Sequence, residues 1–239
     1  MSNRLKVSLV VILMILSLST WSYAKADDNV QVPVKAELPV IFVSAGQSGG
    51  CYVTDALCER VGVPYDRAYE PLSRHLENGV GVAGLHEIID LNQLDNYADF
   101  LFYAGYQCHS DAEPGTPYKT IVFVMGKGPD GFCGNGYVSI DRELERLTDN
   151  ILWAEKNGLT IIGMHVEGKS MRNDRQGHNE SIIDLVAPAC DLILVNDPGD
   201  YDGKFTDIGH AHEIPVVVTP DITSMIPIFQ YIFDICPES

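Results

Sequence analysis

The chain alternates short, continuously apolar runs with amphipathic stretches that repeat every three to four residues. The apolar runs predict buried strands, and they lie at residues 40–43, 119–125, 160–166, 192–195 and 215–219. The amphipathic stretches predict helices, and they lie at residues 53–61, 140–156, 180–186, 205–212 and 224–233. In the longest predicted helix, the buried stripe is expected to contain Ile140, Leu144, Leu147, Ile151 and Leu152, with a charged face opposite.

A further strand is predicted at residues 65–69, whereas residues 70–118 are irregular and rich in aromatic side chains, so we interpret them as an insertion. Strands without alternating polarity are buried on both faces, and parallel neighbours need helical crossovers. The pattern therefore predicts a single α/β domain with an open, mainly parallel sheet and helices on both faces, in three layers. We expect a flavodoxin-like strand order first and a Rossmann-like order second.

Residues 1–26 have the three parts of a secretory signal peptide. A short basic start precedes an uncharged run at 7–18, and an A-x-A cleavage sequence follows at 24–26. Because this run is shorter than the roughly 20 residues that span a bilayer, we expect cleavage rather than a membrane anchor. The mature protein, residues 27–239, is therefore expected to be periplasmic or secreted, without stable insertion into a membrane.

The overall charge argues against some classes of partner. The chain has 33 acidic and 16 basic residues, a formal net charge of −17, and cleavage of the leader would remove three more basic residues. A molecule this acidic is unsuited to nucleic acid or to an anionic membrane surface. Neither class is therefore expected as a partner.

Six cysteines in an exported chain indicate disulfide bonds. They are Cys51, Cys58, Cys108, Cys133, Cys190 and Cys236, and no pair has the C-x-x-C spacing. We therefore expect one to three disulfides rather than a redox or metal role. Cys51 has a separate claim to reactivity, because a thiol in the first turn of a helix has its pKa lowered by the helix dipole.

The turn after the first strand is the most probable place for a ligand. The strand runs into S-A-G-Q-S-G-G-C at 44–51, and the ligand crevice of an open α/β sheet lies at the carboxyl ends of its strands. This turn matches neither the dinucleotide nor the P-loop motif, so no cofactor is expected. The candidate ligand-binding residues, taken from this turn and from later strand ends, are Ser44, Gln47, Ser48, Lys127, His165, Arg172, Arg175 and Asn196.

Several basic residues fall at these predicted strand ends, and their gathering in an acidic protein favours a small polar or anionic ligand. Lys127, Arg172 and Arg175 are among them. The alternative is that these charges only pair with nearby acidic residues such as Glu167.

Four segments resemble a family of uncharacterised bacterial exported proteins. They are V-S-A-G-Q-S at 43–48, G-K-G-P-D-G-F-C-G-N-G at 126–136, H-V-E-G-K-S-M-R at 165–172 and N-D-P-G-D-Y-D-G-K-F-T at 196–206. The resemblance covers most of the mature chain apart from residues 70–118, implies a single Rossmann-like exported domain, and brings no activity with it. The positions that it implies to be shared are Gln47, Ser48, His165, Arg172, Asp202, Gly203 and Phe205.

A narrower stretch, G-Q-S at 46–48, is similar to a block of the carbohydrate acetylesterases of the SGNH hydrolase kind, which implies Ser48 as a nucleophile. Asp207 and His210 have the D-x-x-H spacing that supplies the acid and base in those enzymes, and N-D at 196–197 echoes another block. However, the last two pieces are only about ten residues apart, and Asp207 and His210 fall in a predicted helix.

Two classes of function therefore remain open, a small-ligand binding module and a hydrolase. In the second, Ser48 is the nucleophile, and His165, His210 and Asp207 are the candidate acid and base. His165 is either a general base or a histidine satisfied by a backbone carbonyl. A Ser–His hydrogen bond would favour the hydrolase, and converging polar groups without one would favour binding. No metal is expected, because the histidine and cysteine spacings match no metal motif.

Overall fold

A computed structural model describes residues 32–46, 48–81, 105–126, 139–172 and 177–236. Its strands are β1 (Val40–Ala45), β2 (Tyr65–Ala68), β3 (Gln107–Cys108), β4 (Thr120–Met125), β5 (Thr160–His165), β6 (Leu192–Asn196) and β7 (Val216–Thr219). Its α-helices are α1 (Gly50–Val61), α2 (Ser73–Leu76), α3 (Ile140–Asn157), α4 (Lys169–Arg172), α5 (His178–Val186), α6 (Lys204–His212) and α7 (Ile226–Ile232). Two 3₁₀ turns, Ala187–Ala189 and Thr223–Met225, precede β6 and α7 respectively.

The described strands form one seven-stranded sheet in the order β3-β2-β1-β4-β5-β6-β7. All neighbours are parallel except β3, which pairs antiparallel with β2. The predicted α/β class with a mainly parallel sheet is confirmed, and the parallel strands follow the flavodoxin-like order with one strand added. Strand β3 lies within the segment interpreted as an irregular insertion, because two exposed residues carry no detectable pattern.

Alternate strand residues enter two separate cores, one on each face of the sheet. Ile41 and Val43 pack in the first core with residues of α3, α5 and α6. Val40 and Phe42 pack in the second core with residues of α1 and α7. The predicted three-layer arrangement is therefore confirmed, and strands covered on both faces account for the continuous apolar runs.

Capping residues mark the start of the longest described helix, α3, and the ends of both α1 and α3. The Oγ of Ser139 accepts a hydrogen bond from the N–H of Arg142 at the start of α3, as an N-cap residue does. Gly158 ends α3 and Gly62 ends α1, both in the left-handed conformation that glycine adopts without strain. Local capping therefore fixes where these helices end.

The buried stripe predicted for α3 is partly wrong. Leu152 is 57% exposed, whereas Glu143, Arg146 and Asn150 are buried. Glu143 and Asn150 lie four residues before and three residues after the buried Leu147, so all three share one helix face. That face is polar because it packs against the ends of strands rather than only against their apolar sides.

The predicted disulfides are wrong for the described cysteines, and all five of these are free thiols. Cys51 and Cys58 are seven residues apart in α1, a rise of about 10 Å that no disulfide spans. Both belong to the second core, whereas Cys190 belongs to the first, across the sheet. Cys108 and Cys236 are exposed, and Cys133 lies outside the described residues.

The prediction of a reactive Cys51 is also wrong. Its side chain is fully buried, and burial raises the pKa of the thiol to about 12. The dipole of α1 does not compensate for the removal of the thiolate from water. Cys51 is therefore a packing residue of the second core.

The segment before β1 packs against the C-terminal helix. Val32 and Ala36 are buried, and the N–H of Ala36 donates to the carbonyl of Ile232 at 2.8 Å. In the described part of the chain, no helix combines the length and the apolar character that crossing a bilayer requires.

Candidate functional site

The strand order reverses between β1 and β4, and the turn after β1 is built tightly at this switch point. The Oγ of Ser44 accepts the N–H of Ser48 at 2.7 Å, which folds the turn back on its own strand. Gly46 has φ 93°, and a Cβ there would lie 2.5 Å from the carbonyl oxygen of Gly126. The turn therefore requires glycine at this position for both its conformation and its close approach to the end of β4.

A buried ion pair on α3 holds this turn in place. The guanidinium of Arg146 binds both carboxylate oxygens of Glu143, the shortest contact being 2.6 Å. The same guanidinium donates to the carbonyls of Ser44 and Pro71, and Glu143 accepts the N–H of Gly46 at 2.8 Å. Burial alone would lower the pKa of Arg146, but the carboxylate of Glu143 outweighs burial and raises it. This pair was not identified from the sequence, where both residues belonged to the charged face of the helix.

Glu167 lies just after β5, and its carboxylate reaches across the end of β4 to the N-terminus of α1. The Oγ of Ser48 donates to Oε2 of Glu167 at 2.7 Å. The N–H groups of Gly49 and Gly50 also favour the ionised carboxylate. We call the space bounded by Ser48 Oγ, these two N–H groups and the Cα of Gly126 the carboxylate site.

Burial raises the pKa of Glu167, and the hydrogen bonds from Ser48, Gly50 and Gly49 only partly oppose this effect. The ionised side chain is therefore held in the carboxylate site at a net electrostatic cost. From the sequence, Glu167 was interpreted only as a counter-ion for nearby basic residues. Its position directly after a strand end was the signal for a larger role.

The geometry of Ser48 does not fit a nucleophile. The residue is fully buried, its Oγ donates to Glu167, and the same Oγ accepts the N–H of Gly50 at 3.0 Å. Among the described residues, no histidine is hydrogen-bonded to Ser48. Asp207 and His210 are exposed on α6 rather than directed at the turn. Among the described residues, the side chain that accepts from Ser48 Oγ is the carboxylate of Glu167, and the N–H groups of Gly49 and Gly50 act on that carboxylate rather than on a free oxyanion position.

His165, at the end of β5, is enclosed by backbone and by an aromatic ring. Its Nδ1 lies 2.9 Å from the carbonyl oxygen of Met125, and its Nε2 lies 3.3 Å from that of Gly168. The ring stacks on Phe205 with 5.5 Å between centroids, and burial lowers the pKa of the imidazole. The histidine is therefore satisfied by backbone carbonyls, which was the second of the two interpretations of this residue.

Arg172 does not present its charge to a ligand; it pairs with acidic residues, which was the second of the two interpretations of the basic residues at this edge. Its guanidinium is buried and makes paired hydrogen bonds with the carboxylates of Glu180 and Asp202, together with a 2.9 Å bond to the carbonyl of Gly199. Two carboxylates therefore neutralise the one positive charge. Arg172 ties α4, α5 and the loop after β6 together.

The candidate residues from the sequence form two groups at the carboxyl edge of the sheet. The first group contains Ser44, near the end of β1, and Ser48, in the turn that follows, which are joined by a hydrogen bond. Asn196 joins the group of His165 and Arg172, because its side chain donates to the carbonyl of Val166 at 2.8 Å and accepts the N–H of Gly199 at 2.9 Å. Three further candidates, Gln47, Lys127 and Arg175, lie outside the described residues. Within the described ranges, no cluster of three His, Cys, Asp or Glu side chains is arranged to hold a metal ion.

These features define an open α/β protein of flavodoxin-like strand order whose polar groups meet at the switch point. The chain belongs to the family described as a domain of unknown function (DUF6305), whose model matches residues 37–233. No curated protein sequence matches the chain.

Two solved structures have a distant similarity in fold. One is a GDSL-like lipase from Bacteroides thetaiotaomicron VPI-5482, with 12% identity and a TM-score of 0.30 over 75% of this chain and 66% of the lipase. The other is a protein assigned as an acylhydrolase from Bacteroides fragilis NCTC 9343, with 11% identity and a TM-score of 0.29 over 77% of this chain and 70% of that protein. Because both TM-scores are low, the activities named for these two proteins are not evidence about this chain.

Proposed function

We propose that this protein binds a small polar or anionic ligand at the carboxyl ends of β1, β4 and β5. One observation carries the proposal: Ser48, the carboxylate of Glu167 and the N-terminus of the 12-residue helix α1 lie together at the switch point. In open sheets of this order the crevice at that point is where ligands bind. The proposal does not depend on Arg172, whose charge is already neutralised.

The proposed setting is the periplasm or the extracellular space. Its support is the leader at residues 1–26 and the large excess of acidic over basic residues. An exported single-domain binding protein is consistent with both features.

A thermal-shift screen of the mature protein tests the proposal. A ligand that binds only the folded state must raise the unfolding midpoint, and organic anions, sugars and nucleotides are the classes to screen. A ligand at the switch point should lose most of its effect in Ser48→Ala and keep it in Glu59→Ala, an exposed residue near the other end of α1. The proposal fails if none of the three classes stabilises the protein, or if stabilisation is the same in Ser48→Ala.

The hydrolase remains the second candidate, because Ser48 follows β1 and is hydrogen-bonded to a carboxylate. The occupied Oγ and the lack of a histidine partner among the described residues favour binding instead. Hydrolysis of p-nitrophenyl acetate separates the two candidates. We expect the wild type and Ser48→Ala to have the same rate as buffer, and a rate that disappears with Ser48 would favour the hydrolase.

A further inference from the structure

We propose that Glu167 is a built-in occupant of the ligand crevice, and that a ligand reaches the N-terminus of α1 only when this side chain leaves the carboxylate site. The inference rests on the proposed ligand-binding function and concerns the regulation of that site. Its evidence is geometric. The carboxylate starts from the loop after β5, crosses the end of β4 and fills the point where the strand order reverses.

Glu167 uses the same donors that the acceptor group of a ligand would need. Its Oε2 is 2.7 Å from Ser48 Oγ, and the N–H groups of Gly49 and Gly50 act on the same carboxylate. These groups face the crevice because they begin α1 directly after the turn from β1. The acceptor group of a ligand, such as a carboxylate, therefore cannot bind these donors while the Glu167 side chain occupies them.

Gly126 keeps the carboxylate site free of other side chains. A Cβ at this position would lie 2.0 Å from Oε2 of Glu167 and 2.7 Å from Oγ of Ser48. Gly126 is not among the glycines with positive φ, so its backbone conformation would accept another residue. The space beside it is therefore what requires glycine, and the carboxylate of Glu167 fills that space.

Glu167 is able to leave without disturbing either core. Its side chain is partly exposed, and its hydrogen-bond partners lie in the turn and at the start of α1. Rotation about its own side-chain bonds carries the carboxylate to water. The residual cost of burying the ionised group, described above, acts in the same direction.

Acetate is the probe for this inference, because it has the shape of the atoms that Glu167→Ala removes beyond Cβ. We expect acetate to bind E167A with an apparent dissociation constant at least ten-fold lower than its value for the wild type. At about ten times that constant, the unfolding midpoint of E167A should rise by about 3–6 °C over a chloride solution of equal ionic strength. The wild type should rise by no more than about 1–2 °C at that concentration, because its own carboxylate competes for the site.

Two variants control the measurement. Glu167→Gln keeps a side chain of the same size in the carboxylate site, so E167Q should not respond to acetate. Adding Gly126→Ala to E167A should abolish the response, because the new methyl group takes the space beside Ser48 Oγ. If E167A does not fold, Glu167→Ser replaces it in the same titration, because its short side chain leaves the same position open.

An E167A protein that is indifferent to acetate, or an E167Q protein that responds as strongly, would overturn the inference. Either result leaves the proposed function standing if the ligand screen finds a compound whose effect depends on Ser48. Conversely, a screen without any such compound ends the proposed function, whereas the acetate titration still reports whether Glu167 occupies the carboxylate site.

Discussion

Replacing Arg172 with alanine is expected to destabilise the protein. From its place after a strand, this arginine was a candidate ligand-binding residue. In the structure its guanidinium makes five hydrogen bonds, four to the carboxylates of Glu180 and Asp202 and one to the carbonyl of Gly199. R172A removes all five hydrogen bonds, although Lys204 still donates to Oε2 of Glu180 through its ammonium group and to Oδ1 of Asp202 through its N–H.

The expected loss in the free energy of unfolding depends on how exposed the carboxylates of Glu180 and Asp202 are. Removing one partner of a fully buried ion pair costs about 3–5 kcal/mol. The side chain of Arg172 is 0% exposed, but those of Glu180 and Asp202 are 35% and 39% exposed, so water rehydrates the two carboxylates in the variant. We therefore expect a loss of about 2–3 kcal/mol in the free energy of unfolding. For a domain of this size, that loss lowers the unfolding midpoint by about 4–12 °C.

Urea unfolding at pH 7, followed by circular dichroism, measures the difference. Arg172→Lys keeps the positive charge without the two-pronged geometry and should fall between the wild type and R172A. Lys169→Ala changes an exposed residue of the same short helix and should lie within about 0.5 kcal/mol of the wild type. If R172A is as stable as K169A, Arg172 does not hold the three segments together, and a role in ligand binding returns.

Three further predictions follow from the described geometry. In the native, unreduced protein, Cys108 and Cys236 should react with a thiol reagent before the three buried thiols do. After denaturation, mass spectrometry should count at least five reactive thiols, and a smaller number would indicate a disulfide. N-terminal sequencing of the exported protein should begin within a few residues of Asp27, and recovery of the intact leader on it would contradict the export proposal. Burial raises the pKa of Glu167 in the folded state, so the protonated carboxyl favours folding. The free energy of unfolding of the wild type, relative to that of Glu167→Gln, should therefore decrease as the pH rises from about 4.5 through the raised pKa. An increase in this relative stability with pH would refute the direction of the shift.

Most of the architecture was predictable, because strands that are covered on both faces are apolar throughout and stand out in the sequence. The runs at 40–43 and 119–125 correspond to β1 and β4, each found within two residues. Strand β3 was missed because two residues on a sheet edge show neither alternation nor an apolar run. Its place beside β2 depends on pairing with residues about 40 positions away, which no local pattern contains.

The sequence places the candidate polar residues at the carboxyl edge of the sheet, and those that the structure describes lie there, but it does not give the roles of the charged residues. A sequence shows that Arg172 and Glu167 follow the same strand, yet it does not show which charge is neutralised within the fold. Arg172 is enclosed by acidic residues from two other segments, and Glu167 turns toward a helix N-terminus 119 positions earlier in the chain. Such pairings depend on the tertiary arrangement. Only the structure therefore distinguishes the buried ion pairs of Arg172 from the Glu167 side chain in the crevice.

The close approach of Glu167 to Gly126 ties two distant positions of the sequence to each other. A relative with any side chain at position 126 cannot keep a glutamate at position 167 in this conformation, since the Cβ and Oε2 would be 2.0 Å apart. Substitutions at the two positions should therefore occur together across the family, with the larger residue at 126 accompanied by a shorter one at 167. A family member with alanine at 126 and a small residue at 167 would have an N-terminus of α1 that is closed to carboxylates of its own or of any ligand.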